Sequence, residues 1–248
     1  MRPGRLIGVG VGPGDPELVT LKALRAFSEA AVIFVPVADG ADGAAAAALG
    51  RAEAVVLAHA DAAKVRRLGF TLAGDPAARA ANWDRAGTEV ARTLRAGLTV
   101  AFATIGDPGV YSTFAYLAVT VRALVPEAGV ETVPGITAMQ DLASRSGVTL
   151  VEGDERLALL PLGTGTERLA EALAGFDTVV CYKGGQHLPE ILEALRAAGR
   201  LDRAVFGARL GLDGEMIRPA AELAGRSGPY LSTVIALPDR PARGSRLP

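Results

Sequence analysis

Apolar runs without charge alternate along the chain with segments whose apolar positions recur every three or four residues. Runs of the first kind read as buried strands, and segments of the second as helices with one face in a core. In the first half, strands are predicted over 5–11, 31–37, 98–105 and 129–133, with a weaker one over 54–58. Helical spacing links Leu18, Leu21, Leu24 and Phe27, and over 79–95 it links Trp83, Ala86, Val90 and Leu94. A further helix is predicted over 110–123, and another from Thr137, which meets Gln140 at capping-box spacing, toward Ser146. From 156 the alternation starts again: strands over 156–162, 176–182 and 203–210, helices over 166–173 and 188–198, and further strands at 215–217 and 230–237. The pattern predicts an α/β fold of two α/β domains, 1–137 and 138–240. From Pro238 on, the composition is that of a disordered tail, and 241–248 is assigned to it. The stretch 39–50, with its alanine run 44–48, is compatible with a short helix or a flexible lid.

Three of the predicted strands run into glycine-bearing loops. These are Gly12-Pro13-Gly14-Asp15-Pro16, Gly106-Asp107-Pro108-Gly109 and Pro134-Gly135-Ile136. Open α/β sheets bind ligands beyond the carboxyl ends of their strands, so three such exits point to one crevice with a shared ligand. Asp107 followed by Pro108 also suits the opening of a helix. The crowding of Gly8, Gly10 and Gly12 resembles a dinucleotide fingerprint, but Pro13 stands where its third glycine should fall. Proline offers no N–H to a phosphate, and Asp15 would repel one.

Composition narrows the function classes. Half of the 248 residues are hydrophobic, enough for a substantial core. The formal net charge of −1 gives no bulk attraction to nucleic acid or to an anionic membrane, so neither is expected as a partner. Cys181, the single cysteine, lies in an apolar run and reads as a buried thiol, and with two histidines there is no zinc constellation. No metal is expected. The N-terminal segment has no apolar core with a cleavage site, and the apolar run 30–38 is too short to span a bilayer, so a soluble cytoplasmic protein is expected.

Taken as an ordered set, Gly-Val-Gly-Pro-Gly-Asp-Pro-Glu-Leu-Val-Thr (10–20), Gly-Asp-Pro (106–108) and Val-Pro-Gly-Ile-Thr-Ala (133–138) resemble the tetrapyrrole methyltransferases. Within that family, several motifs look like the branch that methylates C20 of precorrin-2 on the route to cobalamin. They are Tyr-Ser-Thr-Phe (111–114), Met-Gln-Asp-Leu-Ala (139–143), Glu-Gly-Asp-Glu (152–155), Tyr-Lys-Gly-Gly (182–185) and Tyr-Leu-Ser-Thr-Val (230–234). The resemblance implies S-adenosylmethionine as methyl donor, bound in a cleft between the two domains, a tetrapyrrole substrate and a homodimer. It implies donor contacts from Pro13, Ile105, Gly106, Asp107, Val110, Thr137 and Ala138, and from Lys183, Ala208, Arg209 and Leu210. Lys183 departs from relatives that carry methionine there, and the stretch 39–75 matches no pattern of the family. Neighbouring alternatives are cobalt-factor II as substrate, or methylation of a different ring carbon. The similarity of 34–37 and 102–108 to the oxygen-dependent branch favours metal-free precorrin-2.

A sulfonium methyl is already activated, so such an enzyme has mainly to align it with a nucleophilic carbon and exclude water. Asp107 is a candidate to accept hydrogen bonds from the donor, and Tyr111 to orient the substrate or take the proton lost from C20. Arg145, Arg156, Arg209 and Lys183 are candidates for charge-assisted contacts to substrate carboxylates. Two readings of other classes remain: a nicotinamide or flavin oxidoreductase using the first glycine loop, and a non-catalytic nucleotide-binding member.

Overall fold

Side chains along a strand point alternately to its two faces, and in β1 (Arg5–Gly10) both faces are buried. Leu6 packs with Phe34, Phe102 and Leu117, whereas Ile7 and Val9 pack with Ile33, Val35 and Ala103. This double burial is why the strand is apolar at almost every position. Residues 4–37, 49–71, 75–242 and 244 are described in this computed structural model, which divides into two compact units, Met1–Thr137 and Ala138–Pro248.

In the first unit, β1 pairs in parallel with β4 (Val100–Thr104) and β5 (Gly129–Val133). On its other side β4 pairs with β2 (Val32–Val37), which pairs with β3 (Val65–Gly69), giving the order β3-β2-β4-β1-β5. All five strands are parallel, so their carboxyl ends lie at one end of the sheet. Among the described residues four helices accompany them: α1 (Leu21–Glu29), α2 (Arg51–Leu57), α3 (Pro76–Arg95) and α4 (Phe114–Leu124).

Three sequence expectations are corrected here. The weak strand at 54–58 is part of α2, whose buried Ala52, Val55 and Val56 follow helical spacing; its start is marked by Glu53, which accepts from Gly50 N at 3.2 Å. Strand β3 has no counterpart in the sequence pattern, because at the sheet edge it buries only Leu68 and carries Arg66 and Arg67. The helix expected from Leu18 begins at Leu21, where Thr20 caps it by accepting from Ala23 N at 3.1 Å. That frame buries Ala23, Ala26 and Phe27 and leaves Leu21 73% exposed. The alanine run 44–48 lies outside the described residues. Trp83 packs where a core role was expected, with ring centroids 4.4 Å from Tyr116 and 6.1 Å from Phe70.

The second unit holds β6 (Leu157–Pro161), β7 (Thr178–Tyr182), β8 (Ala204–Ala208), β9 (Met216–Pro219) and β10 (Ser232–Ala236). Their order is β6-β7-β10-β8-β9; β6 and β7 are parallel and the remaining pairings antiparallel. One face packs Val179, Cys181, Phe206 and Val234 with Leu169 and Leu173 of α6 (Leu169–Gly175) and Leu188, Ile191 and Leu195 of α7 (Leu188–Ala197). The helix α5 (Ala138–Ser146) sits on β8, where a Cβ built on Gly207 would come within 2.6 Å of Leu142. Burial pushes the Cys181 thiol up to about 12, so it is an inert core group.

The expected tail is corrected at its start. Arg240 donates to Glu155 Oε1 at 2.9 Å and Oε2 at 2.6 Å and to the carbonyl of Thr149 at 3.1 Å, which ties 238–240 to the body of the unit. Residues 243 and 245–248 lie outside the described residues.

Candidate active site

The exits of β1, β4 and β5 meet backbone to backbone. Gly106 N donates to Gly12 O at 2.8 Å, and a Cβ on Gly10 would lie 2.5 Å from Gly106 O and 2.6 Å from Gly135 N. A Cβ on Gly135 would lie 2.2 Å from Gly106 O. Only glycine allows this approach, which explains Gly10 and Gly135 without a phosphate. The structure thus brings together the three exits that the sequence singled out. Asp15 accepts from Glu17 N at 2.9 Å in a short turn over Pro16–Leu18, and Pro13 beside it is buried.

Asp107 fastens the junction. Its Oδ1 accepts from Gly109 N at 2.7 Å and its Oδ2 from Gly135 N at 3.0 Å, so the carboxylate binds the second exit loop to the third. It opens no helix. The expected helix start at 110 moves to Phe114, whose amide donates to Ser112 Oγ at 3.1 Å, and Ser112 Oγ in turn donates to Thr104 Oγ1 at 3.0 Å. Between them Tyr111 takes φ of +48°, a left-handed conformation unusual for a bulky residue, and the residue is 42% exposed. Partial burial holds its phenol above the ordinary value, so the hydroxyl is protonated at neutral pH.

Gly106 itself has φ of +71°, yet a Cβ there would meet nothing within 4 Å. Open space therefore borders the loop, flanked by the half-buried Ile105, Asp107 and Val110. Gly147, at φ +70° with nothing within 4 Å, has the same backbone geometry after α5. Gly106→Ala and Gly147→Ala should each lose about 1–2 kcal/mol, the cost of a left-handed L-residue. Urea unfolding checks both.

Among the described residues of the second unit, two further non-glycine residues with positive φ stand directly after strands. They are Lys183 (φ +61°) after β7 and Arg209 (φ +55°) after β8. Strain of this kind persists where surroundings over-determine it and clusters at functional sites. Lys183 N donates to Ser232 O at 3.1 Å, and burial lowers the pKa of its half-buried ammonium. Ala208 and Leu210 are buried and Arg209 is exposed. Thr137 is buried where α5 begins, and Ala138 is half-buried.

Sequence reasoning missed Tyr182 as a contact. Its hydroxyl accepts from Met139 N at 2.8 Å, tying the start of α5 to the strand that ends at Lys183. It also missed Glu215, which lies 3.3 Å from Arg145, while Arg145 Nε donates to Asp141 at 2.8 Å. The i,i+4 spacing of Asp141 and Arg145 was the readable signal. Arg145 thus stands between two carboxylates, and Arg156 lies 3.8 Å from Asp177 and over the Phe176 ring. Both are poorly placed as anion binders, which leaves Arg209 and Lys183 of the four. Among the described residues no group of His, Cys, Asp and Glu could hold a metal ion, and no helix is long and apolar enough to cross a membrane.

Comparison with known proteins adds to this geometry. Residues 5–224 match the family described as Tetrapyrrole (Corrin/Porphyrin) Methylases. The chain is 37% identical over 240 residues to a precorrin-2 C(20)-methyltransferase of Sinorhizobium sp, covering 94% of each. It is 34% identical over 209 residues to a probable cobalt-precorrin-2 C(20)-methyltransferase of Methanocaldococcus jannaschii, covering 82% of this chain and 84% of that one. A structure of uroporphyrin-III C-methyltransferase from Thermus thermophilus complexed with S-adenosylhomocysteine aligns with a TM-score of 0.65 at 25% identity, covering 94% of this chain and 97% of that one.

Proposed function

Since the chain belongs to the tetrapyrrole (corrin/porphyrin) methylases, we propose that it transfers a methyl group from S-adenosylmethionine to C20 of precorrin-2, giving precorrin-3A. The observation that carries this reading is the 37% identity to a precorrin-2 C(20)-methyltransferase over nearly the whole length of both chains. Glycine exits joined backbone to backbone, with open space beside Gly106, are a setting that a nucleoside-bearing donor fits without phosphate-binding amides.

Pro13, Ile105, Gly106, Asp107, Val110, Thr137 and Ala138 would hold the donor from the first unit and the start of α5. Lys183, Ala208, Arg209 and Leu210 would do so from the second. When bound, the donor supplies an electrophilic methyl that C20 takes as the sulfur–carbon bond breaks. The chain's own part is alignment and exclusion of water. Asp107 holds the loops in register through Gly109 and Gly135, so its role is to shape the donor site. Tyr111, protonated at neutral pH, orients the substrate by donating its hydroxyl hydrogen bond. Burial lowers the pKa of the Lys183 ammonium, which eases its place beside a sulfonium. The enzyme needs no metal of its own, is cytoplasmic and works as a homodimer.

Thermal unfolding with S-adenosylhomocysteine and, separately, NAD tests the donor, since a ligand that prefers the folded state raises the midpoint. A rise with S-adenosylhomocysteine is expected; a rise with NAD alone would overturn the reading in favour of an oxidoreductase. Turnover of precorrin-2 with a labelled donor methyl, followed by NMR assignment, tests the position. Label at another ring carbon would remove the C20 assignment. Faster turnover of the cobalt-bearing substrate would move the reading toward the activity named for the Methanocaldococcus jannaschii relative.

A further inference from the structure

The chain Asp141–Arg145–Glu215 in the second unit has no part in the reading above. Asp141, on α5, keeps only 5% of its side chain exposed; its Oδ1 accepts from Arg145 Nε at 2.8 Å, and its Oδ2 is buried with no hydrogen-bond partner. Arg145 Nη1 lies 3.3 Å from Glu215 Oε2, and that same oxygen accepts from Gly211 N at 2.7 Å. The connection therefore runs from a buried helix carboxylate to the backbone of the loop after β8, two residues beyond the left-handed Arg209.

A buried carboxylate with one unpaired oxygen is unfavourable by itself, and truncating it to an apolar side chain would remove the defect. What the carboxylate does accomplish is to orient Arg145. Without Arg145, Glu215 would be a loop carboxylate bonded only within its own loop. With it, the loop is referred to α5, which Leu142 already seats on Gly207 of β8.

We propose that Arg145 is a positioning residue: by bridging Asp141 to Glu215 it fixes the segment 208–211 and so sets the affinity for the methyl donor. The proposal rests on the reading that this segment contacts S-adenosylmethionine. A direct grip on substrate carboxylates is the competing role for Arg145, and the two carboxylates around it oppose that role.

The test uses Arg145→Met, Arg145→Lys and Glu215→Gln in the full chain, with circular dichroism for folding, S-adenosylhomocysteine affinity by calorimetry, and KM for each substrate. Arg145→Met is expected to raise the dissociation constant and the donor KM by about tenfold, as loosening of a supporting contact does, while the tetrapyrrole KM stays within about twofold. Arg145→Lys should recover part of the loss, because a charge remains but the fork does not. Glu215→Gln, at an exposed site, should reproduce the donor effect even where Arg145→Met fails to fold. Unchanged donor affinity in folded variants would overturn the proposal, and so would a rise confined to the tetrapyrrole KM. Absence of S-adenosylhomocysteine binding by the wild-type chain would remove the donor reading along with it, whereas wild-type binding with unaffected variants removes this proposal alone.

Discussion

Gly135→Ala is expected to destabilise the first unit by about 3 kcal/mol, the upper end of what an overpacked methyl costs, and to abolish measurable S-adenosylhomocysteine binding. The added Cβ would sit 2.2 Å from the carbonyl oxygen of Gly106 and 2.8 Å from the backbone of Gly10. All of these are main-chain atoms, so no side chain can swing away. One of the three strand exits must move, and the hydrogen bond from Gly135 N to Asp107 Oδ2 would go with it. Its loss leaves a carboxylate oxygen short of a donor, which adds to the cost. Gly106→Ala makes the contrast, because its methyl enters open space and meets only the penalty of its positive φ. Urea unfolding of both variants should separate them by more than about 1 kcal/mol, given those two costs. Equal destabilisation would mean that the loops yield more readily than their spacing implies.

The same contrast shows what was readable beforehand. Glycine and proline punctuate a chain strongly, so the exits at 12–16, 106–109 and 134–136 stood out from the sequence, and strands such as Val100–Thr104 did so by their uncharged apolar runs. The edge strand Val65–Gly69 did not, since an element that buries one leucine leaves almost no pattern. Residues 54–58 misled for the opposite reason: a short apolar run fits strand and helix equally, and only the reach of Glu53 back to Gly50 decides it. Asp107 reads as a helix opener by its place before Pro108. Its partner Gly135 lies across the sheet, and pairing between distant loops leaves no local signature. Tyr182, Glu215 and Arg240 escaped for that reason too, each acting on a residue remote in sequence. The family's ordered motifs reached further than local pattern could, because they point to the family itself, but they say nothing of how Arg145 is held.

Arg240→Ala is expected to cost about 3 kcal/mol at pH 7, the lower end of what breaking a buried ion pair costs. The Glu155 side chain is 1% exposed and that of Arg240 18%, so the variant takes the guanidinium away from a buried carboxylate, and the lower end applies because water still reaches the arginine. Arg240 also lies 3.9 Å from Glu152 and donates to the carbonyls of Thr149 and Leu150, and the alanine can make none of these interactions. Burial alone would raise the Glu155 carboxyl. The hydrogen bonds from Arg240 outweigh it, and with the amide of Glu152 they hold the group below its ordinary value. A carboxylate whose pKa is lower folded than unfolded contributes its full stability above the unfolded value, about 4.3, and loses it as pH falls through the folded one. The gap between wild type and Arg240→Ala should therefore be widest near neutrality and narrow progressively below about pH 4. The double variant Arg240→Met/Glu155→Leu should recover most of the loss, since a matched apolar pair needs no solvation. Urea unfolding of wild type and both variants at pH 7 and pH 3 measures this, and a gap that persists unchanged at pH 3 would assign the anchorage of 238–240 to the carbonyl contacts rather than to the ion pair.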